Sequence, residues 1–213
     1  MIPSRSATRT LCASCGLPPR SCICPWAVPI RNRVEVLVLQ HPLEVENAKN
    51  SVRLMRLCLA KSRLAVGEGF APEELEALLR QPAPGTESGE APQALLLYPE
   101  TPGLAPSPER IALPSDPERL RLVVLDGTWR KSRRLFDANP ALAALPRLAL
   151  ADPPPSRYRI RRARRADQLS TLEAVCHALA LLEGDRERYA PLLAAFDAFI
   201  AQRLAFVPGG QER

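Results

Sequence analysis

The chain has 213 residues, 46% of them hydrophobic, with 29 Lys and Arg against 23 Asp and Glu for a net charge of +6. That apolar content excludes a wholly disordered chain, and the length allows one domain, or one with a small appendage, around a substantial core. No run nears the roughly 18 apolar residues of a membrane span, and the polar opening from Met1 to Ser6 lacks a secretory core, so a soluble cytoplasmic protein is expected. The sequence pI near 9.3 suits a polyanionic partner. Lysine occurs only at positions 49, 61 and 131, an arginine bias that genomic base composition also produces, so charge clustering is more informative than the total.

Residues 1–30 carry Cys12, Cys15, Cys22 and Cys24 among several prolines and few large apolar groups. A segment this poor in apolar surface needs a crosslink to order it. In a reducing compartment, closely spaced cysteines bind metal more often than they form disulfides. Cys12-x-x-Cys15 is a chelating pair, whereas Cys22-x-Cys24 is tighter than usual and is expected as two strand residues in a bent loop. Four thiolates suit a tetrahedral Zn2+ and leave no open position, which implies a structural ion. Disulfides or free thiols are the alternatives. Cys58 and Cys176 fall within helical apolar patterns and read as packing residues.

Over residues 31–205, short apolar strands alternate with helices, which predicts an α/β domain with a mostly parallel sheet. Strands are expected at 34–39, 64–66, 94–97, 122–125 and near Leu148. Helices are expected at about 44–60, 72–80, 131–139, 170–183 and 187–203. The stretch 81–92, rich in Pro, Gly and small polar residues, predicts a mobile loop; Asp152 to Pro155 predicts an extended connection, and 206–213 a flexible tail.

In open α/β sheets, ligands gather outside the carboxyl ends of the strands. Three predicted strands end distinctively, at His41-Pro42, Tyr98-Pro99 and Asp126-Gly127-Thr128-Trp129, and converge on one crevice if the strands are neighbours. Gly127 permits close backbone approach, Thr128 offers a hydroxyl, and Trp129 offers a stacking face. Asp126 has two readings, helix cap or reacting acid, and Trp129 could equally be core. The basic run Arg130, Lys131, Arg133 and Arg134 sets that acid beside a polyanion-binding helix. A denser run, Arg157, Tyr158, Arg159, Arg161, Arg162, Arg164 and Arg165, suits RNA phosphates or else forms a solvated loop. Ser170-Thr171-Leu172-Glu173 spells a capping box, and helix N-termini also offer donors to anionic ligand groups.

In chain order, Cys12-x2-Cys15-x6-Cys22-x-Cys24, His41-Pro42-x-Glu44, Asn50-Ser51, Leu97-Tyr98-Pro99, Asp126-Gly127-Thr128-Trp129 and Ser170-Thr171-Leu172-Glu173-Ala174 resemble the DTW-domain family. Its members are tRNA-uridine aminocarboxypropyltransferases, named for an Asp-x-Thr-Trp motif. The resemblance runs from about Cys12 to the last helix; it departs at Ser51, where the family commonly has Thr, and 81–92 looks like a lineage-specific insertion.

The resemblance implies a SPOUT-like fold, an α/β domain often carrying a trefoil knot. It implies transfer of the 3-amino-3-carboxypropyl group of S-adenosylmethionine to N3 of a tRNA uridine, leaving methylthioadenosine. On that basis Asp126 is the expected general base. Leu97, Tyr98, Pro99, the backbone of Leu125, Gly127, Ser170 and Thr171 are expected to hold the cofactor. Glu173 joins them or only caps its helix. His41, Glu44, Asn50 and Thr128 are expected to order the pocket, and Trp129 or Tyr158 to stack on the uridine. An RNA methyltransferase using the same cofactor, and a non-catalytic zinc RNA-binding module, are the rival readings. A monomer or homodimer with no obligate protein partner is expected.

Overall fold

Among the described residues, five strands, all running the same way, organise the fold. The computed structural model describes residues 10–47, 49–82, 90–100, 113–151, 156 and 169–205. Strands β1 (Glu35–Gln40), β2 (Ser62–Val66), β3 (Gln93–Leu97), β4 (Leu120–Asp126) and β5 (Arg147–Leu148) form one parallel sheet in the order β2-β1-β4-β3-β5. Every residue of β1 and β4 is buried, the polar Glu35, Gln40, Arg121 and Asp126 included, and the apolar runs 36–39 and 122–125 suit central strands. β2 is at best half-buried and occupies an edge.

Strand alternation divides the interior between the two faces. On one face, Val36, Val38, Leu122 and Val124 pack in a cluster with Leu54, Met55, Leu172, Leu179 and Phe196, from α1 (Val52–Cys58), α4 (Thr171–Glu183) and α5 (Ala190–Ala205). On the other, Leu37, Leu39, Val123 and Leu125 meet Leu75, Leu79, Leu135 and Phe136, from α2 (Pro72–Arg80) and α3 (Trp129–Ala138). The cysteine-bearing segment joins the first face through Cys15, Ile23 and Ile30, with Ile23 fully buried. Among the described residues, no helix is long and apolar enough to cross a membrane.

Three expected elements differ from those observed. The helix expected over 44–60 is a 3-10 turn at Pro42–Glu44, a loop, and a helix only from Val52. Asn47 and Asn50 explain the delay, because their side chains accept from the amides of Lys49 and Val52 and hold non-helical turns. Cys22 and Cys24 lie on no strand; they flank and begin 3-10 turns at Pro19–Ser21 and Cys24–Trp26, both with proline in the first positions. The last helix is preceded by a 3-10 turn at Glu187–Tyr189. The remaining expected strands and helices fall within a few residues of those observed. Residues 83–89 of the expected loop, Asp152 to Pro155 and the 206–213 tail lie outside the described residues.

Candidate active site and metal centre

The strand order makes β1, β4 and β3 consecutive neighbours, so the three distinctive ends do meet. In register, Gln40 lies opposite Asp126, and the His41 amide donates to the Asp126 carbonyl at 3.0 Å. Asp126 is 9% exposed. Its Oδ2 accepts from Gln40 Nε2 at 2.8 Å and its Oδ1 from Thr171 Oγ1 at 2.6 Å. These donors fix the carboxylate's orientation from two elements, a neighbouring strand and the start of α4.

Thr128, not Asp126, caps α3: its Oγ1 accepts from the Lys131 amide at 3.4 Å. Gly127 must lack a side chain, since a Cβ there would come within 2.9 Å of the Lys131 Cβ. The first turn of α3 can therefore lie against the end of β4. Trp129 follows on the open side at 51% exposure, and its ring meets that of Tyr98 edge-on, with centroids 5.8 Å apart. Tyr98 in turn stacks on Phe136 at 5.3 Å. Burial raises the Tyr98 phenol above its ordinary range, Arg133 and Arg147 opposing. Leu97 is half-buried, Pro99 is exposed and Leu125 is buried.

At the start of α4, the Ser170 hydroxyl accepts from the Glu173 amide at 3.3 Å while Glu173 Oε2 accepts from the Ser170 amide at 2.8 Å. Ser156 Oγ donates to that same oxygen at 2.8 Å. Glu173 is thus 2% exposed and occupied by its cap, whereas Thr171 projects to Asp126.

The loop after β1 is pinned by its own polar side chains. His41 Nδ1 accepts from the Leu43 amide at 3.2 Å, so Nε2 carries the proton and donates to Glu68 Oε2 at 2.6 Å. Glu44 Oε1 pairs with Lys131 Nζ at 2.8 Å, Oε2 accepts from Asn47, and the Glu44 carbonyl accepts from Asn50. Lys131 is therefore committed to a nearly buried carboxylate.

Of the other α3 cations, Arg133 forks onto Asp137 at 2.9 Å, Arg134 lies 3.8 Å from Glu68, and Arg130 is exposed. Exposed pairs of this kind contribute only about 0–1 kcal/mol, so a phosphate can displace them at little cost. Arg157, Tyr158, Arg159, Arg161, Arg162, Arg164 and Arg165 lie outside the described residues.

The four N-terminal thiols form a second constellation. Cys12 and Cys24 Sγ lie 3.6 Å apart, Cys15 and Cys22 Sγ 3.7 Å apart, and all four within 4.8 Å of one another. A tetrahedral ion with metal–sulfur bonds of about 2.3 Å requires sulfurs about 3.8 Å apart. The donor set therefore fits a closed four-thiolate metal site, and all six cysteines are free thiols. The amides of Cys15 and Ser14 lower the Cys12 thiol to about 6, while burial is the main force raising Cys24 to about 12.

Sequence reasoning did not single out Gln40 as a partner of Asp126, or Glu68 as a partner of His41. Both pairings depend on which elements adjoin. Position after a strand was the one available signal, since Gln40 ends β1 and Glu68 follows β2 closely.

The family model of the DTW domain matches residues 9–204. Among curated proteins, the chain is 29% identical to tRNA-uridine aminocarboxypropyltransferase 2 of Macaca fascicularis, over 92% of this chain and 64% of that protein. It is 30% identical to the Mus musculus protein of that name, over 82% of this chain and 57% of the relative, and 30% identical to the Drosophila melanogaster one, over 84% and 69%. The chain thus spans less than two thirds of the macaque and mouse relatives. No solved structure matches it significantly. With the Asp-x-Thr-Trp motif at the end of β4 and a match over nearly its whole length, the chain belongs to the DTW-domain family.

Proposed function

We propose that this protein modifies tRNA by transferring the 3-amino-3-carboxypropyl group of S-adenosylmethionine to N3 of a uridine. The observation that carries the reading is Asp126, held by Gln40 and Thr171 at a crevice whose rim includes the exposed ring of Trp129. The names of the curated relatives support the reaction class.

When bound, S-adenosylmethionine supplies an electrophilic carbon on its longer arm and leaves as methylthioadenosine. The candidate holding residues are the Leu97, Tyr98 and Pro99 turn, the backbone at Leu125 and Gly127, and Ser170 and Thr171, which fit a zwitterionic ligand at a strand end and a helix N-terminus. Glu173 serves this pocket through the cap, by fixing Ser170. Uridine N3 bears a proton and is a poor nucleophile until that proton leaves. Asp126 accepts it, a role commonly contributing about 10²–10⁴-fold. Trp129 stacks on the unpaired base, and Arg130, Arg133 and Arg134, with the 157–165 run, neutralise backbone phosphates. His41, Glu44, Asn50 and Thr128 hold the surrounding backbone in shape.

The four-cysteine centre takes structural Zn2+, because its thiolates fill every tetrahedral corner. In this reading residues 1–30 are the metal segment and 31–205 the catalytic domain, in a cytoplasmic enzyme. The fold is SPOUT-like, supported by its all-parallel five-stranded sheet, with a trefoil knot as the associated expectation.

Asp126→Asn tests the assignment, being isosteric yet a far weaker base. Turnover should fall by about 10²-fold or more with tRNA affinity unchanged. Undiminished transfer would remove Asp126 from the reaction.

A further inference from the structure

The metal centre and the crevice loop share one side chain. Arg53, at the start of α1, donates through Nη1 to the Cys15 carbonyl at 3.2 Å and through Nη2 to the Val45 carbonyl at 3.0 Å. Cys15 is one of the four thiol donors. Val45 follows Glu44, whose carboxylate holds Lys131 and whose carbonyl accepts from Asn50. Arg53 is half-buried, and both of these hydrogen bonds lie partly out of water.

We propose that Arg53 is a positioning residue that couples the cysteine centre to the loop after β1, so that metal binding orders one wall of the crevice. Three physical points carry this. A rigid planar fork can serve two carbonyls at a fixed separation, which a lysine ammonium on a flexible stem does poorly. A site of four thiolates and one divalent ion is net anionic, so a cation on the backbone of a ligand residue stabilises the loaded state. The turn that carries Cys15 also lies against the guanidinium: Gly16 takes φ +67, and a Cβ there would be in van der Waals contact, at 3.4 Å, with Arg53 Nη1. The inference rests on metal binding by the four cysteines and is independent of the reaction assigned to the crevice.

Amide hydrogen exchange on zinc-loaded wild type and Arg53→Ala, with zinc content measured separately, tests the coupling. Exchange in peptides covering 43–50 should quicken by about tenfold or more in the variant, the effect of losing a charge-assisted hydrogen bond, with the β4 peptide unchanged. Zinc transfer to a competing chelator should quicken as well, because coupling is reciprocal. In the wild type, removing zinc should quicken the 43–50 peptides; in the variant, removal should add nothing at those amides.

A merely structural arginine would give additive effects, and additivity overturns the proposal. An unchanged 43–50 peptide or an unchanged transfer rate overturns it too. If the alanine variant or the metal-free protein unfolds, as the β4 peptide would reveal, Arg53→Lys decides on the zinc-loaded protein: both changes should appear in reduced form, and wild-type behaviour at either end refutes the coupling. A wild type that binds no zinc refutes the metal assignment instead.

Discussion

Asp126 has its orientation decided before any substrate arrives, with one oxygen held by Gln40 and the other by Thr171. Such prior positioning is where an enzyme gains rate without moving at the moment of reaction. Gln40→Leu removes a hydrogen bond to a charged group and should cost about 1.5–3 kcal/mol of transition-state stabilisation, read as a fall in kcat with little change in KM for tRNA. Under the proposed reaction, Trp129 is assigned to binding instead. Its half-exposed ring is packed edge-on against Tyr98 and so is fixed, yet open on its outer side. Trp129→Ala should lose about 1–3 kcal/mol, the worth of one stacked base, as a raised KM for tRNA. The acid was legible in the sequence because it terminates an apolar run. Its two donors were not, since the pattern of one strand does not disclose its neighbour.

Among the elements, α4 shows local signals at their best. Its Ser170 cap and Glu173 return bond were expected from the capping-box residues, and the structure ends the helix on Gly184 at positive φ. Ser170→Ala should cost about 0.5–2 kcal/mol of stability, measured by urea unfolding, and should also lower activity, because the same turn presents Thr171 to Asp126. An unfolding midpoint that falls while activity stays intact would separate the cap from the site. The region before α1 is the contrary case. Apolar spacing alone extends the helix to residue 44, but two asparagine side chains compete for the backbone and win. The carboxylate-bearing loop exists because of that competition. A buried pair at the other end of the sheet was equally hidden. Arg121, fully buried in β4, donates to Glu35 and to the carbonyls of Leu78 and Gln81, and so ties the end of α2 to the sheet.

For the whole molecule, alternation of strand and helix was enough to predict a parallel α/β sheet, but not the order β2-β1-β4-β3-β5 that brings the three strand ends together. Long-range pairing sets that order, and periodicity carries no record of it. The cysteine segment was legible from spacing as a four-thiol cluster, while the burial of Ile23 in the core that α1, α4 and α5 share was not. Cys22→Ser should abolish stoichiometric zinc binding and expose residues 10–30 to limited proteolysis, since structural zinc contributes about 10–16 kcal/mol in small peptide sites. Full zinc retention by that variant would contradict the four-thiolate centre.

If the longer arm of S-adenosylmethionine, and not its methyl group, is transferred as proposed, the small-molecule product reports it. The purified protein, incubated with unmodified tRNA and S-adenosylmethionine, should release methylthioadenosine while nucleoside mass spectrometry finds a uridine heavier by one aminocarboxypropyl group. Release of S-adenosylhomocysteine with a methylated nucleoside would mean that the protein is a methyltransferase and that the aminocarboxypropyl assignment is wrong.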